Sequence, residues 1–231
     1  LYAYRKEEHF TAHQPRMVTK GHVKFGMKKD GLATAVEMTQ IADAGATAST
    51  QEFMLAVGTN SLPILCKTNN KKFDAKVVVT NHVPSGSFRG YGYLESSNLL
   101  TAAIFEACRR VDVDPMVYLE KNALALGEEF HNACSPMHPW QHNNSSDWQN
   151  LVRETAKACH WSERWKGWGV PTWVSPEGKK RRGIGVSAAG HADTGGKTSN
   201  ATVTITGLGA VYISTCMAEF GSGIRDIMQK I

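Results

Sequence analysis

From residue 22 to residue 41 apolar and polar residues alternate: His22–Met27 and Leu32–Ile41 each put every second side chain on one face, the period of a half-buried strand. Lys28-Lys29-Asp30-Gly31 lies between them, and Asp-Gly between alternating runs signals a hairpin. Leu1-Tyr2-Ala3-Tyr4 reads as a strand already under way, and Phe73–Thr80, with Val77-Val78-Val79, as another. The first third is therefore expected to be mainly β. Beyond Gly92 the period lengthens. Leu99, Leu100, Ala103, Ile104 and Ala107 recur at helical spacing, and Arg109-Arg110 complement the negative end of the helix dipole. Asp114 as N-cap, Pro115 at the first helical position and Gly127 as a stop predict a second helix over Met116–Leu126. Ser146 and Gln149, at capping-box spacing, predict a third over Asp147–His160. Further on, Gly183–Ala189 reads as a short strand, and Ala201–Ile205 with Ala210–Cys216 as a hairpin across Gly207-Leu208-Gly209. A helical pattern follows Gly223 and runs to Ile231. The expected fold class is α+β, mixed sheets with packed helices and no internal repeat.

Composition narrows the class without naming a function. With 231 residues and 42% hydrophobic content the chain can bury a core. No apolar run approaches the roughly 20 residues of a membrane span, and no cleavable signal opens the sequence, so a cytoplasmic protein is expected. Cys66, Cys108, Cys134, Cys159 and Cys216 are odd in number and contain no C-x-x-C pair, which suits reduced thiols and excludes a cysteine-ligated iron–sulfur site in this segment. The net charge is +5, and the one dense basic run, Lys179-Lys180-Arg181-Arg182, has no recognition helix or stacking aromatics beside it. It reads as a solvated loop or as a contact for an acidic partner surface, and nucleic acid is set aside. Trp161, Trp165, Trp168 and Trp173 crowd a loop-rich stretch, where large aromatics anchor a long loop to the body of a domain.

Three places have residues suited to chemistry. In Ser85–Gly92 three glycines, Gly86, Gly90 and Gly92, rule out a regular element and let backbone N–H groups approach a ligand, while Arg89 offers a fixed cation. Phe88 and Tyr91 flank it with ring faces suited to a planar molecule. Taken on its residues alone the loop is equally an anion site or a tight turn. Gly221-Ser222-Gly223, between a strand and a helix, would aim free N–H groups at a phosphate, although a plain turn has the same pattern. His131 to His142 gathers His and Cys at spacings compatible with zinc, but Pro136 and Pro139 break any helical register, and a surface loop explains it as well.

Several of these motifs occur in one order and spacing. Arg5-Lys6-Glu7-Glu8 through Gln14-Pro15-Arg16, Lys28-Lys29-Asp30-Gly31, Ala42-Asp43-Ala44-Gly45-Ala46, Ser87-Phe88-Arg89-Gly90-Tyr91-Gly92, Asp114-Pro115 with Glu120-Lys121-Asn122, Arg182-Gly183-Ile184-Gly185 and Glu219-Phe220-Gly221-Ser222-Gly223 together resemble the central part of molybdenum hydroxylase large subunits, the xanthine oxidase type. The resemblance implies an oxidoreductase that hydroxylates an electron-poor carbon with oxygen from water. Its cofactor is a molybdenum-pterin (molybdopterin or its cytosine dinucleotide), and electrons pass through iron–sulfur clusters to FAD or another acceptor on partner chains or domains. It implies that Phe88, Arg89, Gly90, Gly221, Ser222 and Gly223 contact the cofactor, Arg89 near the metal without being a ligand. Tyr91, Val186 and Ser187 would line the substrate pocket. It also divides the chain into a first cofactor-binding region (1–127), a helical and Trp-rich connection (128–182) and the start of a second cofactor-binding region (183–231).

Departures from the family pattern carry expectations of their own. Ser222 stands where the family usually has Gln, Val186 where purine and aldehyde enzymes have Phe, and Glu52–Asn60 lacks the Arg of purine-oxidising members, which disfavours xanthine. No Glu matches the family's general base. The catalytic residue is therefore expected outside this segment, and the remainder of the molybdenum subunit, with iron–sulfur and flavin subunits, as partners. Two other readings stand beside this one: a non-catalytic scaffold that keeps the fold without the cofactor, and a hydratase or reductase using the same cofactor.

Overall fold

The computed structural model describes residues 4–131, 140–144, 146–190, 200–217, 219 and 223–230. The chain divides into two compact units, Leu1–Ala192 and Asp193–Ile231. In the first, helix α1 (Lys6–Thr11) precedes the predicted hairpin of strands β1 (Val18–Met27) and β2 (Ala33–Asp43), which pair antiparallel with a register shift at Gly26/Met27. Helices α2 (Gln51–Gly58) and α3 (Ser61–Leu65) then carry the chain to β3 (Lys71–Val78), which joins β2 in parallel, so β2 is the central strand. A parallel neighbour requires such a crossover. The first third is mainly β as expected, but it also holds three helices that the sequence reading did not foresee. Their sequences hide them: α2 buries Met54, Leu55 and Val57 in a nearly continuous apolar run without a clear 3.6 period, and α3 spans five residues with Pro63 inside it.

Helix α4 (Tyr93–Val111) packs against this sheet. It comes close because β1 has Gly21 there: a Cβ at Gly21 would stand 2.5 Å from Leu99 Cδ1 and 2.9 Å from the Thr39 carbonyl. Helix α5 (Pro115–Asn122) starts as predicted, with the Asp114 carboxylate accepting from the Met116 N–H at 2.7 Å, but ends at Asn122, with Ala123 extended. The core joins Val36 and Met38 of β2, Leu62 and Leu65 of α3, Leu100, Ile104 and Cys108 of α4, and Met116 and Tyr118 of α5. Burial pushes the Cys108 thiol up to about 11, and the Tyr118 phenol, which donates to the Leu65 carbonyl at 2.8 Å, is pushed upward as well.

A small hairpin, β4 (Glu129–His131) with β5 (Trp140–His142), leads to α6 (Trp148–Ala158). Its N-cap is Asp147, which accepts from the Asn150 N–H, and not Ser146. Short helix α7 (Trp161–Arg164) opens the Trp-rich stretch, and the anchoring expected of its aromatics is seen for Trp161, Trp165 and Trp168, whereas Trp173 is exposed with Arg182 over its ring. Trp161 is buried, donates from Nε1 to both oxygens of Asp114 and stacks on Trp165, and Trp168 Nε1 donates to the Val113 carbonyl at 3.0 Å. The predicted strand Gly183–Ala189 has no ladder. The local pairing is β6 (Trp173–Val174) with β7 (Arg181–Arg182), and the alternation that suggested a strand arises because Ile184, Val186 and Ala188 pack on the core. The second unit contains the expected hairpin, β8 (Ala201–Ile205) with β9 (Val211–Thr215), and helix α8 (Ile224–Lys230). Among the described residues no helix is long and apolar enough to cross a membrane.

One buried side chain joins α5 to the hairpin turn. Asn122, 1% exposed, accepts from the Ala33 N–H and donates to the carbonyls of Gly31 and Tyr118, each at 2.9 Å. Asn122→Leu strands a buried donor and a buried acceptor of the hairpin, and a loss of about 2–4 kcal/mol is expected in urea melts. A loss below about 0.5 kcal/mol would contradict this role for Asn122.

Candidate functional site

The loop Ser85–Gly92 connects β3 to α4, and its shape is set from both ends. At the entrance Ser85 is buried, its N–H donates to the Ala44 carbonyl at 2.9 Å and its Oγ to the Asp43 carbonyl at 2.8 Å, and Gln51 of α2 donates to the Ser85 carbonyl. The Gly86 N–H donates to the Pro15 carbonyl at 3.1 Å. At the exit two turns overlap: the Tyr91 N–H donates to Phe88 and the Tyr93 N–H to Gly90, both at 2.8 Å, with positive φ at Gly90 (89°), Tyr91 (45°) and Gly92 (94°). Gly92 is required twice over, since its φ suits glycine and a Cβ there would lie 1.9 Å from the Met54 carbonyl oxygen. The backbone of α2 thus lies directly on the start of α4.

This scaffold presents the predicted site residues in different ways. Phe88 and Arg89 are exposed, and the Arg89 guanidinium has no recorded partner among the described residues. Gly90 is open, a Cβ there meeting nothing nearer than Leu94 at 3.7 Å. Tyr91 is half-buried on a second apolar cluster of Met17, Ala42, Met54 and Leu55, its ring edge-on to Phe53 with centroids 5.8 Å apart. Two residues that the sequence reading did not place in the site complete it: Arg16, which entered there only within a family motif, and Glu95. Arg16 lies 4.8 Å from the Phe88 ring centre, donates to the Arg89 carbonyl at 2.6 Å and pairs with buried Glu95 at 3.0 Å. Neither sequence spacing nor periodicity signals a contact between residues 73 and 79 positions apart.

The other predicted residues lie elsewhere. Val186 lines a groove of about 460 Å³ with Phe105, Trp165, Trp168 and Ile184, and Ser187 is exposed beside it. Phe105 is 12 residues beyond Tyr93 on α4, about 18 Å along the helix axis at 1.5 Å per residue. In the second unit Gly221 and Ser222 fall outside the described residues. Gly223 has φ 74°, and its N–H and that of Arg225 donate to the two carboxylate oxygens of Glu219, at 3.2 and 3.3 Å. The residues 132–139 of the His/Cys stretch also lie outside the described part, and no cluster of metal-ligating side chains occurs among the described residues. Cys66, Cys108, Cys159 and Cys216 are free thiols.

Comparison with known proteins identifies the family and the fold. Residues 2–123 match the family model of the molybdopterin cofactor-binding domain, and the chain belongs to that family. It is 34% identical over 133 residues to the probable hypoxanthine oxidase XdhD of Escherichia coli K12, covering 56% of this chain and 14% of that protein. It is 30% identical over 122 residues to the nicotinate dehydrogenase large molybdopterin subunit of Eubacterium barkeri, covering 53% and 29%. The fold is shared with the aldehyde oxidoreductase of Desulfovibrio gigas (TM-score 0.57, 19% identity, 70% of this chain and 17% of that one). It is shared likewise with quinoline 2-oxidoreductase of Pseudomonas putida 86 (TM-score 0.59, 17% identity, 69% and 20%). The chain thus spans about one seventh of the hypoxanthine oxidase relative and under a third of the nicotinate dehydrogenase subunit.

The Gly92 contact sets a first expectation. Gly92→Ala combines positive-φ strain with a backbone clash and should cost roughly 3 kcal/mol or more, read as a lower midpoint in denaturant or loss of soluble protein. A second concerns Asp43, held at about 2 by hydrogen bonds from Thr80, the Gly45 N–H and His82, the first at 2.6 Å. Because the folded value lies below the ordinary one, its contribution to stability is fully present above about pH 4 and is lost as the pH falls through about 2. Asp43→Ala should therefore lower Tm by a few degrees at neutral pH and by less near pH 2. A difference in Tm independent of pH would rule out the carboxylate as its source.

Proposed function

We propose that this chain is part of the molybdenum-pterin subunit of a hydroxylase that oxidises an electron-poor carbon of an aromatic, aldehyde or acyl-thioester substrate. In this reading Phe88, Arg89 and Gly90 face the cofactor, and Arg89 stands near the metal without coordinating it. Gly221, Ser222 and Gly223 take the pterin phosphate and Tyr91 contacts substrate; Val186 and Ser187, expected beside it, stand at a separate groove toward the far end of α4. One observation carries most of it: an exposed guanidinium, without a partner among the described residues, on an open glycine loop anchored at both ends, within a molybdopterin cofactor-binding domain. These residues fit an anionic, planar group, since Gly90 leaves backbone room and Arg89 supplies charge-assisted donors.

When bound, the cofactor supplies oxygen transfer from water and takes up two electrons. What this chain contributes is position and charge. Arg89 places a fixed positive charge where negative charge develops, which is effective because the loop need not reorganise. Tyr91 offers one ring face to a planar substrate, and Val186, in the groove toward the far end of α4, supplies no second face opposite it. A general base and the iron–sulfur and flavin carriers belong to the remainder of the subunit and its partners. The exposed Val203, Ile205, Val211 and Tyr212 of the β8–β9 hairpin supply apolar surface for such a partner. A second reading, the cofactor-free scaffold, draws on Glu219, whose carboxylate already occupies the amides of Gly223 and Arg225 that a phosphate would take.

The native complex is expected to contain molybdenum, or tungsten in its place, with a pterin, by elemental analysis and by fluorescence of the oxidised pterin. A complex devoid of both metals and of pterin would establish the scaffold reading instead. In the loaded enzyme Arg89→Ala should lower turnover more than about tenfold with an unchanged circular dichroism spectrum. Full turnover in that folded variant would remove Arg89 from the site.

A further inference from the structure

We propose that Arg16 is a positioning residue that, braced on buried Glu95, fixes the Arg89 segment of the loop and thereby sets where the Arg89 side chain stands toward the cofactor. The proposal rests on the molybdenum-pterin reading above. Arg16 lies two residues before β1 and bridges to Gly86 at the loop entrance. Its guanidinium makes three engagements with one junction: Nη1 donates to Glu95 Oε1 at 3.0 Å, Nη2 donates to the Arg89 carbonyl at 2.6 Å, and its face lies over the Phe88 ring.

Each engagement does something the others do not. The two overlapping turns of the loop use the carbonyls of Phe88 and Gly90, so between them Arg16 is the recorded partner of the Arg89 carbonyl. Glu95, in the first turn of α4, has a side chain 4% exposed, and burying a carboxylate is costly unless it is paired. A buried ion pair adds little net stability compared with apolar packing of the same shape, so its use here is geometric. It ties the loop, the segment before β1 and the start of α4 into one unit. A planar fork suits this task, because one nitrogen serves Glu95 while another serves the carbonyl and the face remains for Phe88; an ammonium group lacks that shape. The second oxygen of Glu95 has no partner among the described residues, so Arg16 is the carboxylate's recorded support.

The test uses the complete native complex with and without cofactor, and compares Arg16→Lys with the double variant Arg16→Met/Glu95→Leu, which removes both charges and leaves no stranded carboxylate. Hydrogen exchange at the amides of residues 88–93 reads the clamp directly and should rise at least about tenfold in the double variant, loaded or not. In the loaded complex turnover should fall at least about tenfold with KM within about twofold, and the Mo(V) paramagnetic resonance signal should shift at unchanged metal content. Arg16→Lys should lie between the two, holding Glu95 without fixing the carbonyl. Unchanged exchange in a folded double variant overturns the clamp. Faster exchange with wild-type turnover and resonance overturns its role in positioning. A wild-type complex without molybdenum or pterin overturns the underlying cofactor reading, and faster exchange in that background shows that the failure lies there and not in the clamp.

Discussion

The contact of Gly92 with the backbone of α2 is the constraint on which the rest of the site depends. A helix that begins directly against another helix's carbonyl cannot slide or rotate without a clash, and at Gly92 there is no side chain to cushion the contact. The geometry of the loop before it follows. Its last residues must turn tightly, which takes up positive φ at three successive positions, and the side chains of Phe88 and Arg89 are left outside. Strain of this kind persists only where surrounding packing over-determines it. Here the packing comes from Met54 and Leu55 of α2, Met17 before β1, and the edge of Tyr91.

Polar groups divide the first unit in two. At the end of α5 every polar atom of the Asn122 amide is used, and the hairpin turn is further tied by Lys121 Nζ, which donates to the Asp30 carbonyl and carboxylate at 2.8 Å. Around the first turn of α4 the satisfaction is incomplete. Gln40 Nε2, Asn60 Oδ1, Glu95 Oε2 and Ser97 Oγ are buried without a partner among the described residues. Gln40 accepts from Ser96 at 3.0 Å and Asn60 donates to the Tyr93 hydroxyl at 3.1 Å, so these atoms gather at one helix end. Buried polar atoms of this type are uncommon in settled cores, and sequences that break local rules do so preferentially at functional sites. Such atoms gather at the start of α4, next to the glycine loop, with Lys71 Nζ of β3 a further one, whereas the Asn122 amide is fully paired.

The same division explains what family membership does and does not bring. The match over residues 2–123 covers the sheet, the loop and α5, all of them parts that position the glycine loop. Beyond it, Trp161 and Trp168 pin their stretch to the α4–α5 turn through indole hydrogen bonds, the structural use expected of them. The groove that includes Val186 is lined by Trp165, Trp168 and the far end of α4, at the opposite end of that helix from Arg89.

Local signals in the sequence determined the elements whose cause is local. The β1–β2 hairpin followed from alternation around Asp-Gly, α5 from its Asp114–Pro115 start, and the Ser85–Gly92 loop from glycines that no regular element tolerates. Order and spacing of short motifs were enough to identify the family. Tertiary structure decided the rest, because the deciding forces act between residues far apart. Helices α2 and α3 exist because β3 must return parallel to β2, a requirement that no periodicity in residues 51–65 expresses. The alternation of Gly183–Ala189 was real but was satisfied by packing on the core in place of strand pairing. Most of all, nothing near Arg16 in the chain foretells its place: it becomes part of the site only when the fold brings a buried carboxylate from α4 and a carbonyl from the loop within hydrogen-bond reach of one guanidinium.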